Sequence, residues 1–280
     1  MAEEPQTDFG QIEDVDTSAR QFIWGKYKVR TIILASISIL ITGFIIFGFI
    51  QTGDPNVLKA LGIPIVIFGI GFASIYNKAR EAFFKQFAAK NNYSYVEKGD
   101  VSTVISRHLE VIGHSQYLTD IISGTYNNFP LRLFNFNATI GYGKNSYRVD
   151  FTVFEMQFVG DVLDIIIDRA QKSFFNSEGQ VSSYSGMHTL SLEGDFDKHF
   201  KVLIPDGYQI EALEILTPDV MQELIDNASK FSFEFKSNKL YIFAEEEITK
   251  RIDLETMYDF SKTITTKLMP VLATLKTDKA

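Results

Sequence analysis

The feature that most constrains this chain is an uncharged apolar run, TIILASISILITGFIIFGFI, at residues 31–50. As a helix rising about 1.5 Å per residue, about 20 such residues cover the roughly 30 Å hydrocarbon core of a bilayer. A cleaved signal peptide starts nearer the N-terminus and has a shorter apolar core, so this run predicts a transmembrane helix. A second run, ALGIPIVIFGIGFASIY at residues 60–76, is at the short end of what spans a bilayer.

The link between the two runs, QTGDPNVLK, is short and turn-rich, so the two helices are expected to form an antiparallel hairpin. Basic residues flank the outer ends of this hairpin: Arg20, Lys26, Lys28 and Arg30 before it, and Lys78, Arg80, Lys85 and Lys90 after it. The link carries only Lys59, so the positive-inside rule predicts that both termini are cytoplasmic. Neither run contains Asp, Glu, Lys, Arg or His, which favours an anchor over a channel or transporter.

The remaining chain divides by composition into three regions. Residues 1–20 are acidic with little apolar content, and we expect a disordered tail. Residues 21–92 contain the transmembrane hairpin and a helical extension, KAREAFFKQFAAK, in which Phe83, Phe84 and Phe87 recur at helical spacing. Residues 93–280 are predicted to form a cytoplasmic α+β domain, with a possible subdomain break in the polar segment 171–186.

Within that domain, alternation of apolar and polar residues predicts most of the strands. The predicted strands are 93–97, 118–126, 131–140, 146–158, 161–169 and 199–205, followed by a hairpin in which Phe231, Phe233 and Phe235 alternate with Ser232, Glu234 and Lys236. Helices are predicted after Asp100, at residues 217–228 with Thr217 as the cap, and from Asp253 onward. The fold class is therefore α+β: a transmembrane helical hairpin, then a mainly antiparallel sheet with flanking helices.

Composition and motifs exclude several classes of function. The absence of cysteine excludes disulfides, cysteine-ligated zinc and thiol catalysis, and the net charge of -8 argues against nucleic acid as a partner. No phosphate loop, G-x-S-x-G elbow, H-E-x-x-H or G-x-G-x-x-G motif is present. The nearest to a phosphate loop, from Gly141 to Lys144, lacks the following Ser or Thr and predicts a hairpin turn.

The stretch that most resembles a metal-binding site is EGDFDKHF, in which Glu193, Asp195, Asp197 and His199 occupy every second position. On a strand these four would share one face and suit a divalent cation. Phe196 and Phe200 would lie on the other face of such a strand. A solvent-exposed face of an amphipathic strand therefore explains the alternating polar residues without a metal. A turn at Gly194 would also separate the acidic residues from the imidazole.

Three stretches, SGTYNNFPLRLFNF, GYGKNSYRVDFTVFEM and LEGDFDKHFKVLIPDGYQIEALEILTPDVMQEL, carry a resemblance to a known family. The chain resembles uncharacterised bacterial membrane proteins in which two transmembrane spans precede a cytoplasmic domain of unknown function. The resemblance implies this topology, and a location in the bacterial plasma (inner) membrane. It implies no reaction, and no site residue follows from it.

These observations favour a binding or scaffold protein anchored in the membrane, which would contact a partner protein, another copy of itself or the inner leaflet. The alternative is a membrane-tethered hydrolase or metal-dependent enzyme that uses the acidic residues around Asp195. The sequence assigns no catalytic, cofactor-binding or metal-binding residue, so an enzyme is the less favoured of the two hypotheses.

Overall fold

A computed structural model of the chain describes residues 7–126, 128–158, 162–170, 184, 186–192, 194–228 and 230–274. The helices are α1 (Val15–Trp24), α2 (Lys28–Thr52), α3 (Gly62–Lys90), α4 (Arg107–Glu110), α5 (Phe196–His199), α6 (Gln209–Ile215), α7 (Pro218–Asn227) and α8 (Arg251–Thr274). The strands are β1 (Ser94–Gly99), β2 (His114–Tyr126), β3 (Phe129–Ile140), β4 (Tyr147–Gln157), β5 (Ile165–Arg169), β6 (Met187–Leu190), β7 (Phe200–Pro205), β8 (Phe231–Lys236) and β9 (Lys239–Ala244).

The chain divides into two compact units. The helical unit comprises Phe9–Phe87 and Thr249–Arg251, and the sheet unit comprises the described residues of Met1–Asp8, Ala88–Ile248 and Ile252–Ala280. The boundary after Phe87 lies five residues before the predicted boundary at residue 92, because the end of α3 belongs with the sheet.

In the helical unit, α2 and α3 are the two predicted spans, each long and apolar enough to cross a membrane. Pro64 lies in the first turn of α3, where its missing N–H leaves no helical carbonyl unsatisfied. The two helices approach closely where a Cβ on Gly71 would lie 2.7 Å from Leu34 Cδ1. Ser38 Oγ, on α2, also donates to the Pro64 carbonyl at 3.4 Å. Small residues therefore permit the contact between the helices, as membrane helix pairs require.

We expected residues 1–20 to form a disordered tail. Within the described part of this segment, residues 7–20, the structure instead has a helix, α1, that begins at Val15. Four apolar side chains are buried in this region: Phe9, Ile12, Val15 and Ala19. Phe9 stacks on Phe87 with ring centroids 5.3 Å apart. These four residues recur every three or four positions, a helical spacing that the acidic composition of the segment obscures.

All nine described strands form one antiparallel sheet in the order β1-β2-β3-β4-β9-β8-β5-β7-β6. The predicted α+β class with a mainly antiparallel sheet is confirmed. The sheet contains strands from both sides of residues 171–186, so the proposed subdomain break does not divide it. Most of that segment lies outside the described residues.

Both faces of the sheet are covered. On one face α8 packs its aromatic side chains on the strands, with Phe260 5.4 Å from Phe233 and Tyr258 5.8 Å from Phe154 between ring centroids. On the other face Leu109 and Ile112, from the segment around α4, belong to the buried cluster of β2, β3, β4 and β9. A sheet covered on two faces buries polar residues that strand alternation alone would place in water.

Candidate functional site

Among the described residues, the side chains of Asp195, Asp197 and His199 do not converge on one site. Gly194 has a φ of +80°, and the four residues Phe196–His199 form α5 instead of extending the strand. Asp197 accepts hydrogen bonds from Ser191 Oγ at 2.6 Å and from the Leu192 N–H at 3.0 Å. Because a helical turn rotates each successive side chain by about 100°, these residues share no face, and the prediction of a wet strand face over this stretch is wrong.

Each acidic residue of this row has its own setting. Asp195 pairs with Lys198 at 2.5 Å, and that bond holds the pKa of the exposed Asp195 carboxyl below its usual range. Glu193 lies outside the described residues. In the part of the chain that the structure describes, no group of three or more His, Asp or Glu side chains is arranged to hold a metal ion.

Glu234, in the middle of β8, is a buried carboxylate that is 1% exposed. Its carboxylate accepts from Ser106 Oγ at 2.5 Å, from the Arg107 N–H at 2.7 Å and from the His108 N–H at 3.2 Å. We name these four residues the Glu234 centre. Both carboxylate oxygens are occupied by donors from the start of α4, so the centre fixes α4 to the sheet.

The surroundings shift the pKa values of two members of this centre in opposite senses. Burial raises the pKa of Glu234 to about 7 from its ordinary 4.5, and the three hydrogen bonds oppose part of that rise. Burial lowers the pKa of His108 from 6.5 to about 4. Its ring lies 4.8 Å from the ring of Phe243, and Tyr184 Oη is 3.5 Å from His108 Nδ1. Near neutral pH the imidazole is therefore uncharged and packs as an aromatic side chain.

A second buried group of polar residues lies beside the first. Ser232 Oγ contacts Asp168 Oδ1 at 2.8 Å and Glu245 Oε1 at 3.4 Å. Arg169 pairs with Glu245 at 2.6 Å. Burial raises the pKa of Glu245, and the Arg169 guanidinium opposes that rise.

A third polar group surrounds Asp120, where β2 is irregular. Asp120 is 1% exposed and has a φ of +54°, a left-handed conformation that is uncommon for a non-glycine residue. Its carboxylate accepts from Tyr95 Oη at 2.7 Å and from Asn135 Nδ2 at 3.3 Å, and Asn135 Oδ1 accepts from Thr152 Oγ1 at 2.8 Å. The bulge turns the side chain into this network.

In contrast to these buried polar groups, two regions leave apolar side chains exposed. On α2, Leu40 is 72% exposed and Phe44 78% exposed, although the helix carries no charge between Arg30 and its end. On α6, Ile210 is 73% exposed and Leu213 49%. Sequence reasoning missed α6 because its apolar residues surround the helix and give no single stripe.

His114 and the predicted turn at Gly141 lie together at the end of the β3–β4 hairpin. The turn is confirmed, with Gly141 and Gly143 both at positive φ and a 3-10 turn at Gly143–Asn145. The His114 ring stacks on Tyr142 at 4.5 Å, and its Nε2 lies 2.8 Å from the Gly141 carbonyl oxygen. The hairpin therefore ends in an aromatic tip rather than a phosphate-binding loop.

Comparison with solved structures gives a relationship at the level of the fold. The chain is similar to the crystal structure of the mycobacterial trehalose monomycolate transport factor A, TtfA. The match covers 69% of this chain and 95% of that chain, with a TM-score of 0.51 and 9% sequence identity. At that identity, the similarity to TtfA concerns the fold alone. No family model and no curated protein matches the chain.

Proposed function

We propose that this protein is a membrane-anchored scaffold of the bacterial inner membrane whose sheet unit lies in the cytoplasm and binds a partner protein. The observation that carries the proposal is the exposure of the uncharged apolar runs within α2 and α3. In their most apolar stretches, only 6% of α2 and 11% of the helical segment Pro55–Lys90 is buried within the protein. A core helix of a soluble protein would be mostly buried, so lipid is the solvent that suits these two helices.

The interior of the sheet unit supports binding over catalysis. The carboxylate of Glu234 has donors from the protein on both oxygens, so it is engaged in holding the fold. An acid or base in catalysis must reach a proton of its substrate within hydrogen-bond distance. The acidic residues of the hydrolase hypothesis, Asp195 and Asp197, are likewise bonded to Lys198, Ser191 and Leu192.

The similarity to TtfA supports an accessory role. TtfA is a transport factor, a protein that serves a transport process. The apolar runs of α2 and α3 contain no Asp, Glu, Lys, Arg or His, the residues that usually line an ion or proton pathway. We therefore favour an accessory that holds or positions a membrane-associated partner over a transporter in its own right.

Contact with the inner leaflet is a second candidate, favoured by the aromatic tip of the β3–β4 hairpin. Tyr142 is 81% exposed and Tyr147 59% exposed, and Lys144 lies between them. Tyrosine and lysine together are typical of membrane interfaces. If this tip binds lipid, added anionic vesicles will protect Tyr142 from surface labelling in nanodisc-embedded protein, and the Y142S/Y147S variant will bind fewer vesicles. Equal vesicle binding by variant and wild type would remove this candidate.

Purification from native membranes in polymer-bounded discs tests the main proposal. We expect one protein partner at a stoichiometric level, identified by quantitative mass spectrometry against discs that hold an unrelated two-span protein. Absence of such a partner, combined with turnover in a broad hydrolase screen, would reverse the order of the two hypotheses.

A further inference from the structure

The short helix α6 is apolar on its outer side as well as on its inner side. Ala212 and Ile215 are fully buried against the sheet unit. On the outer side Ile210 is 73% exposed and Leu213 is 49% exposed. We name Ile210 and Leu213 the α6 patch. Large apolar side chains that neighbour each other on the exposed side of a helix are typical of a contact surface.

The chain around the α6 patch is acidic. Residues 205–228 contain no Lys, Arg or His and carry six carboxylates: Asp206, Glu211, Glu214, Asp219, Glu223 and Asp226. Two of the six have basic partners elsewhere in the chain: Glu223 pairs with Lys267 at 2.7 Å, and Asp206 lies 2.9 Å from His188 Nδ1. Glu211 and Glu214 belong to α6 itself and are exposed. Among the ion pairs of the described residues, neither of these two glutamates has a Lys or Arg partner. The patch therefore has an apolar centre and an unneutralised acidic rim.

We infer that the α6 patch is the docking site for a cationic amphipathic helix of the partner protein, an inference that rests on the scaffold function proposed above. Ile210 and Leu213 are three residues apart on one side of α6 and offer anchors for the apolar face of such a helix. Lysine or arginine beside that apolar face would pair with Glu211 and Glu214. Apolar anchors give affinity, and the complementary charges give orientation and association rate.

The same charges argue against the two other occupants. Anionic phospholipids of the inner leaflet attract basic segments and repel an acidic rim. A symmetric dimer would place the same patch of two copies face to face and bring Glu211 and Glu214 against their counterparts. A basic protein segment is the occupant that the rim favours.

Direct binding to a defined probe tests the chemistry. The full chain, in nanodiscs of zwitterionic phosphatidylcholine, is titrated into a fluorescent helical peptide of leucine and lysine in amphipathic order, with empty nanodiscs and a leucine–glutamate peptide as controls. We expect saturable binding of the lysine peptide alone. The I210S/L213S variant should have a Kd at least tenfold higher than that of the wild type. The E211Q/E214Q variant should have a Kd several-fold higher, with a smaller dependence on salt. The matched control V96S changes an exposed apolar residue of β1 and should leave Kd unchanged. Equal affinity of wild type and I210S/L213S would overturn the inference.

Photo-crosslinking in living cells separates this inference from the scaffold function. A benzophenone amino acid replaces Leu213 in one full-length variant and Tyr142 in another. Capture at Leu213 of a basic amphipathic segment, identified by mass spectrometry, supports the inference. A partner captured at Tyr142 alone, or a crosslink from Leu213 to a second copy of the chain, overturns the inference and leaves the scaffold function standing. Absence of any protein crosslink at both positions contradicts both.

Discussion

The helix pair α2–α3 and the short helix α6 both expose large apolar side chains, but the residues around those side chains differ in charge. The exposed residues of α2 and α3 lie in uncharged runs, whereas those of α6 lie among carboxylates. An uncharged apolar helix long enough to span a bilayer is matched by hydrocarbon. A small apolar patch with a charged rim is matched by another protein surface. Exposure alone therefore does not distinguish the two regions, and the difference in charge around the exposed side chains is what our proposal uses to separate them.

The largest effect is expected when a charge is placed in each of these two regions. Leu40→Arg puts a guanidinium near the middle of α2 and should cost about 3 kcal/mol of insertion free energy, on the order of a hundredfold in the insertion equilibrium. We expect the variant to be depleted from the membrane fraction after alkaline extraction. Ile210→Arg, at a residue of equal exposure on α6, is the control and should stay in the membrane fraction. Equal loss of both variants would show that the two surfaces share one environment.

The interior of the sheet unit provides a second contrast, because its stability should depend on Glu234 and not on α6. Glu234→Ala leaves Ser106 Oγ and two backbone N–H groups of α4 without their acceptor, which should lower the free energy of unfolding by about 3 kcal/mol. Glu234→Gln keeps one acceptor oxygen and should cost about 1 kcal/mol. Urea titration of the detergent-solubilised chain at pH 7 measures both. Equal stability of Glu234→Ala and wild type would contradict the assignment of the centre as a structural one.

The pH dependence of stability separates the two buried ionisable groups. The pKa of Glu234 is higher in the folded state, so its contribution is present below about pH 4.5 and is lost as the pH rises to about 7. The pKa of His108 is lower in the folded state, so its contribution is present above pH 6.5 and is lost as the pH falls to about 4. The two contributions oppose each other between pH 4.5 and 6.5.

Single substitutions should expose each slope. Relative to wild type, Glu234→Gln should become more stable by about 3 kcal/mol as the pH rises from 4.5 to 7, because only the wild type must ionise a buried carboxyl. As the pH rises from 4 to 6.5, the wild type should gain about 3 kcal/mol of stability from His108, because the cost of keeping the buried imidazole uncharged disappears. His108→Asn has no imidazole and should not show this gain, so its stability relative to wild type should fall by the same amount. Parallel pH profiles for the wild type and both variants would contradict the shifted pKa values.

The exposed residues of α6 should contribute little to the stability of the fold. I210S/L213S removes two exposed side chains of α6, and we expect a change in the free energy of unfolding within about 0.5 kcal/mol. A loss of several kcal/mol would mean that the α6 patch packs within the fold, which would remove its role as a contact surface. The same urea titration provides the value.

The fold was predictable from the sequence where local signals suffice. The two spans follow from length and the absence of charge, and the strands β2, β3 and β4 follow from alternation between turn residues. The hairpin of β8 and β9 follows from its Ser237-Asn238 turn, where Ser237 has a φ of +56°. These elements depend on neighbours in the chain, which a single sequence displays.

The candidate sites were less predictable because they depend on distant contacts. Glu234 meets Ser106 across a separation of 128 residues, and nothing near β8 in sequence indicates that α4 covers its polar face. The acidic composition of residues 9–19 predicted disorder, although the spacing of Phe9, Ile12, Val15 and Ala19 is that of a segment packed on the fold. The prediction of a strand over residues 193–199 was wrong because Asp197 accepts a hydrogen bond from the Leu192 N–H and residues 196–199 form a helical turn.

Cysteine accessibility tests the proposed topology, in which the apolar hairpin lies in lipid and the sheet unit lies in the cytoplasm. The chain has no cysteine, so one introduced thiol is a unique label. Asn56→Cys places the thiol in the link between α2 and α3, and Lys144→Cys places it in the β3–β4 turn; both positions are exposed. A membrane-impermeant maleimide should label Asn56→Cys in intact spheroplasts and Lys144→Cys only after the membrane is permeabilised. Labelling of both cysteines from the same side of the membrane would contradict this topology.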